Sequence, residues 1–127
     1  MPIKYKVIDR RNPQDPEAPN KFYASSSIDG KSDIEQLTKR IEKISTVSGA
    51  DIRAVLYAMV DVVPSLLSEG RNVQLGDLGY FRVSISSNPS DTAEEVSASN
   101  IRTSRIIFTP GKKFKDMLKS LTFEKTS

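Results

Sequence analysis

At 127 residues, with no apolar run approaching the length of a membrane span, the chain is expected to form one domain and to need no bilayer. It has neither cysteine nor histidine, which excludes disulfides, cysteine-based zinc sites, the commonest general base and every triad built on histidine. The net charge of +3 is unevenly spread: from Asn100 to Ser127 seven Lys/Arg stand against two Asp/Glu, whereas Asp91 to Glu95 is acidic, and basic clustering of this kind favours a nucleic-acid partner.

Residues 2 to 9 alternate Ile3, Tyr5 and Val7 with Lys4 and Lys6, the pattern of a strand with one wet face. The N-terminal MPIKYKVIDRR lacks the apolar core of a secretion signal, so a cytoplasmic location is expected. Residues 10 to 20 hold three prolines and no large apolar residue, which forbids a helix. Lys21 to Ser26 reads as a second strand, so that residues 1–31 form a β-hairpin extension ending in a turn at Asp29-Gly30.

Ser32 and Glu35 have the spacing of a capping box, and Ile34, Leu37, Ile41 and Ile44 follow as one apolar stripe. Ser48 is placed to cap a second helix running to about Ser68. The apolar face of that helix, from Ile52 to Leu67, is wider than one neighbouring helix covers. Pro64 is expected to kink the helix or end it early, and Gly70 suits its C-terminal cap. A short strand at Asn72 to Leu75 and a turn at Gly76-Asp77 come next. Two alternating runs, Gly79 to Ser86 and Ile101 to Phe108, flank the polar segment Asn88 to Asn100 and predict a long β-arm. Pro110 introduces a last helix from Gly111 to about Leu121, with Phe114, Met117, Leu118 and Leu121 on its apolar face. The predicted order is ββ–αα–βββ–α, an α+β chain.

These residues carry a resemblance. Val73-Gln74-Leu75 followed by Gly79 and Phe81 is similar to the V-x-L…G-x-F motif of the histone-like HU and integration host factor family. Phe108, Gly111, Lys112, Lys115 and Asp116 match its F-x-x-G-K-x-x-K-D motif, and Gly70 falls at the glycine before its first strand. The resemblance covers about residues 32 to 121, and the first thirty residues are similar to the β-extension of an HU-like subfamily. It implies a helical pair, a three-stranded sheet with a β-arm at about 86–101 and a C-terminal helix within residues 32–127. It further implies an intertwined homodimer whose two arms grip double-stranded DNA through the minor groove. For Phe81 and Phe108 the residues themselves leave two readings open: packing across a dimer interface, or an ordinary monomer core.

In the family, cations on the saddle strands and at the start of the last helix neutralise phosphates, and a proline on the arm enters a base step and kinks the duplex. The residues here that match are Arg82, Arg102 and Arg105 on the strands, Lys112, Lys113 and Lys115 at the last helix, and Pro89 as the candidate wedge. A helix start adds backbone N–H groups to the lysines at Gly111-Lys112-Lys113. Lys119 and Lys125 read as solvated surface. The arm departs from the family pattern, with no basic residue between Ser84 and Ile101 and with Asp91, Glu94 and Glu95 in their place. Pro89 sits five to six residues before the midpoint of a hairpin bracketed by Phe81 and Phe108, so a turn or edge proline is the competing reading.

The expectation is thus an HU-like nucleoid-associated protein that binds and modestly bends duplex DNA with little sequence specificity. It is not an enzyme and needs no cofactor or metal. Gly76-Asp77-Leu78-Gly79 lies between strands and is no phosphate loop. The rival reading keeps the fold as a protein-interaction or structural module with weak or no DNA binding. The acidic arm favours it, as does the N-terminal hairpin, whose edge could take a protein partner. Tyr5, Phe22 and Tyr23 could stack on bases, but at alternating strand positions such residues are more often core or interface.

Overall fold

The computed structural model describes residues 2–126. In chain order the elements are β1 (Ile3–Arg10), β2 (Lys21–Ser26), α1 (Ile34–Ile44), α2 (Gly49–Ser68), β3 (Val73–Gln74), β4 (Gly79–Ser87), β5 (Ile101–Pro110), α3 (Lys112–Lys119) and β6 (Phe123–Lys125). They form an α+β structure with two three-stranded sheets, ordered β2-β1-β6 and β3-β4-β5. The chain divides into two units, Met1–Asp33 with Met117–Ser127, and Ile34–Asp116.

In the first unit β1 and β2 pair antiparallel from Tyr5↔Ser26 to Arg10↔Lys21, as the alternation and the proline-rich connection predict. Within that connection Asn12 and Asp15 accept from the N–H groups of Gln14 and Glu17, so side chains supply the turn's hydrogen bonds. The sequence reading has no counterpart to β6. It runs parallel to β1 with Ile3 opposite Phe123, and the ladder is extended by the Ile3 N–H on the Thr122 carbonyl and the Thr126 N–H on the Tyr5 carbonyl, both 2.8 Å. Three residues are too few to show a period, so only the partner strand defines it.

In the second unit α1 and α2 form a helical hairpin. Ser48 caps α2 as expected, its hydroxyl accepting from the Asp51 N–H at 3.3 Å. At the other end the Gly70 N–H reaches the Leu67 carbonyl and the Arg71 N–H reaches Leu66, a Schellman arrangement that needs Gly70 at φ 83°. α2 runs to Ser68 as expected, so of the two outcomes expected at Pro64 the early end does not occur, and the Schellman bonds take up the final carbonyls. Two expectations are corrected. The Ser32–Glu35 capping box is not formed. The helix starts at Ile34, and the Glu35 carboxylate instead receives a two-pronged bond from Arg53 at 2.8 and 2.9 Å, which raises the Arg53 pKa above its ordinary value. Nor is the α1 stripe Ile34–Leu37–Ile41–Ile44. Thr38 turns inward between Ile34 and Ile41, its hydroxyl donating to the Ile34 carbonyl at 2.7 Å, while Leu37 and Ile44 are exposed. A hydroxyl satisfied within its own helix can be buried cheaply, and composition alone hides that.

The core of this unit is small. Among the described residues only Ile52, Leu67 and Val73 are buried apolar side chains, and Val55, Val60 and Val62 of α2 are more than half exposed. Phe81 stands opposite Phe108 in the β4–β5 ladder with ring centroids 4.8 Å apart, and Phe114 of α3 meets Phe108 edge-on at 5.7 Å. α3 starts one residue later than expected, at Lys112, and ends two residues earlier, at Lys119.

Candidate nucleic-acid interface

The register of β4 and β5 sorts their side chains into two faces. Phe81↔Phe108, Val83↔Ile106 and Ile85↔Ser104 share one, and Arg82↔Ile107, Ser84↔Arg105 and Ser86↔Thr103 share the other. On this second face Arg82 and Arg105 are diagonal neighbours, ordinarily about 7–8 Å apart between strands, and Tyr80, Ser84, Ser86, Thr103 and Thr109 supply uncharged surroundings. The face carries no carboxylate.

Strict alternation would send Arg102 to the opposite face with Ser104 and Ile106. The ladder slips here: Ser86 pairs with Thr103 but Ser87 pairs with Ile101, leaving Arg102 as the extra residue of a β-bulge. Its guanidinium reaches the Ser86 hydroxyl at 2.8 Å. The bulge therefore re-aims Arg102 toward the face that holds Arg82 and Arg105. Nothing in the residue pattern announces the bulge, and Ser86, which fixes the arginine, was not among the sequence candidates.

The lysines are placed by a different device. Gly79, at φ 138°, and Gly111 meet backbone to backbone, and the Gly111 N–H donates to the Leu78 carbonyl at 2.9 Å. This joins the end of β5 to the start of β4 and begins α3 there, with the first helical bond from the Lys115 N–H to the Gly111 carbonyl at 3.0 Å. Lys112, Lys113 and Lys115 are all exposed in the first turns of α3. There the early amides have no intrahelical acceptor and the helix dipole favours an anion. Lys112 and Lys115, three apart, share one flank, while Phe114 turns to Phe108 and anchors the helix. The ion pairs among the described residues, Arg53–Glu35 and Arg71–Glu69, use none of these six cations.

The arm beyond Ser87 is not an extended ribbon. Residues 88–100 fold into a closed loop with 3-10 turns at Ala93–Glu95 and Ala98–Asn100. Asn100 closes it. Its amide donates to the Asn88 carbonyl at 3.2 Å and the Ser90 hydroxyl at 2.8 Å, and its side-chain oxygen accepts from the Ser97 N–H at 2.9 Å. The backbone bond from Asn88 to the Asn100 carbonyl, 2.7 Å, shuts the base. Pro89 lies at the exposed foot of this loop, two residues past the last ladder pair on its strand. Asp91, Glu94 and Glu95 are exposed farther along. The structure thus gathers the arginines on one face and the lysines at one helix start, and it sets Pro89 apart from both. Asn100 was missed as a loop closer; the asparagines bracketing the polar segment were the available signal.

The family model HU-HIG, described as an HU domain fused to a wHTH, Ig or glycine-rich motif, matches residues 1–125. In fold the chain is similar to a crystal structure from Bacteroides vulgatus ATCC 8482, provisionally named a bacterial DNA binding protein, with a TM-score of 0.65 at 14% identity. The match covers 97% of this chain and 47% of that one, so the chain spans about half of the solved relative. No curated protein matches the sequence significantly.

Proposed function

The chain belongs to the HU-HIG family, and from that premise we propose that it is a homodimeric, HU-like architectural protein that binds double-stranded DNA with little base specificity and bends it modestly. The observation that carries this reading is the carboxylate-free face of the β4–β5 ribbon, where a bulge brings Arg102 to join Arg82 and Arg105. Arginines on a strand ribbon suit phosphate oxygens, and Lys112, Lys113 and Lys115 at a helix start extend the same chemistry. The proposed role is non-catalytic, as the lack of histidine and cysteine suggests, and lies at the nucleoid in the cytoplasm. No helix of the described residues is long and apolar enough to cross a membrane.

The homodimer part of the proposal is supported by the apolar surface left open. A groove of about 410 Å³ is lined by residues that include Leu56, Met59, Val60, Val63 and Phe81, with almost no polar surface. A single chain with so few buried apolar residues gains most by covering this groove with a second copy. Phe81 and Phe108 are then shared between the chain's own packing and the interface.

The exposed acids Asp91, Glu94 and Glu95 favour a second reading, an HU-fold interaction module with little affinity for DNA. One experiment separates the two. Anisotropy titration of a mixed-sequence duplex, repeated across salt concentrations, is expected to give binding whose logarithm falls linearly with log salt. The slope is about −5 per protomer if all six cations meet phosphates. A dimer by sedimentation that leaves the duplex unbound at low salt would overturn the DNA reading in favour of the second.

A further inference from the structure

We propose that the basic face of the N-terminal sheet is a second binding site for the phosphodiester backbone of duplex DNA, separate from the cations of β4, β5 and α3. The inference rests on the duplex-binding reading above and extends it to the N-terminal sheet.

The alternation of β1 puts Lys4, Lys6 and Arg10 on one face with Ile8, and the antiparallel register adds Tyr23 and Lys21 of β2 to it. Arg10 stands directly opposite Lys21. Like charges facing each other across a ladder disfavour it, so a folded hairpin that keeps such a pair gains when an anion lies between them. The Arg10 guanidinium lies 5.5 Å from the Tyr23 ring centroid, which steadies the cation while its N–H groups stay available. A groove of about 290 Å³ adjoins the pair, lined by Arg10, Arg11, Lys21 and Tyr23 and walled by Pro13 and Pro19.

The nearby carboxylates do not neutralise this groove. Asp9 points to the other face of β1 and accepts from Asn20 at 3.2 Å, and Asp15 accepts from the Glu17 N–H. Glu124 stands beside Lys4 at the far end of the sheet. None of Asp9, Asp15, Glu17 and Glu124 lines the groove. From Lys4 to Arg10 the face extends about 20 Å along the strand, the axial length of about six phosphates on one DNA strand. A linear row of exposed cations over that distance fits a polyanion rather than a single phosphate.

The test uses the full chain and the salt-dependent duplex titration, with the variants R10Q/K21Q and K112Q/K115Q and their combination. R10Q/K21Q is expected to lower the magnitude of the salt slope by about 1.8, the loss of two phosphate contacts. It should leave the melting temperature of the free protein unchanged or raise it, because the repelling pair is gone. The combination is expected to lose both increments. Should R10Q/K21Q disturb the far-UV circular dichroism, K4Q/K6Q on the same face decides, with the same fall in slope expected. A wild-type slope and affinity in the N-terminal variant, beside a weakened K112Q/K115Q, would overturn the second site and leave the proposed function standing. Failure of the wild-type protein to bind duplex would overturn both.

Discussion

Gly79 and Gly111 stand against each other so closely that a Cβ built on Gly79 would lie 3.0 Å from the Gly111 nitrogen, and one built on Gly111 would lie 3.0 Å from the Gly79 nitrogen. The contact is reciprocal and made by backbone, so neither side can yield by rotating a side chain. It gives the two separated glycines of the G-x-F and F-x-x-G-K motifs a single physical cause.

Gly79→Ala is therefore expected to destabilise the fold strongly. The positive φ of 138° alone costs about 1–3 kcal/mol in a residue with a Cβ, and the added carbon also meets the Thr109 carbonyl. Gly111→Ala meets the Asp77 carbonyl and should also destabilise, though without the backbone penalty. Urea melts at one fixed protein concentration measure both, and equal stability of Gly79→Ala and the wild type would contradict the close approach.

Removing the hydroxyl that holds Arg102 should weaken duplex binding without unfolding the arm. Ser86→Ala frees the guanidinium, and Arg102→Ala removes it. If Arg102 acts through the geometry that Ser86 imposes, the double variant should be no weaker than Arg102→Ala alone. Additive losses of affinity in such a cycle would mean that the two residues act independently.

Neutralising the acidic loop should tighten binding. Asp91→Asn with Glu94→Gln and Glu95→Gln removes three exposed negative charges from the arm. The gain should be largest at low salt and vanish at high salt, where screening already suppresses the repulsion. Unchanged affinity at low salt would place the loop away from DNA.

The open apolar groove makes the dimer testable by one residue. Val60 is 58% exposed in the single chain, so Val60→Asp should cost a monomer within about 0.5 kcal/mol. Buried unpaired in a dimer interface, the same carboxylate costs several kcal/mol. Sedimentation velocity should show the variant as a monomer with a lower melting temperature, and a variant identical to the wild type in both would refute the proposed interface.

Loosening the arm tip should be visible without any DNA. Asn100→Ala removes the three side-chain hydrogen bonds that close residues 88–100, each worth about 0.5–1.5 kcal/mol. Amide exchange within the loop should accelerate while that of α2 stays unchanged. Protection equal to the wild type would show that the Asn88–Asn100 backbone bond suffices to hold the loop.

Much of this was legible in the residues. Alternation across Gly79 to Ser86 and Ile101 to Phe108 defines two strands whatever surrounds them, and the two phenylalanines that bracket the hairpin do stand opposite each other. The serine at position 48 and the glycine at 70 mark helix ends because capping is local chemistry. Composition excluded the chemistry of cysteine and histidine outright. Other features depend on partners distant in the chain. Glu35 spends its carboxylate on Arg53, eighteen residues on, rather than on the start of its own helix. Thr38 is buried although it is polar, and Phe123–Lys125 is a strand because β1 lies alongside. Arg102 joins the arginine face through a one-residue slip that no periodic pattern encodes, since period two assigns it to the other side. Periodicity and local hydrogen bonding thus set the elements, whereas the faces they present, and with them the charges gathered for a ligand, were decided by register and long-range pairing.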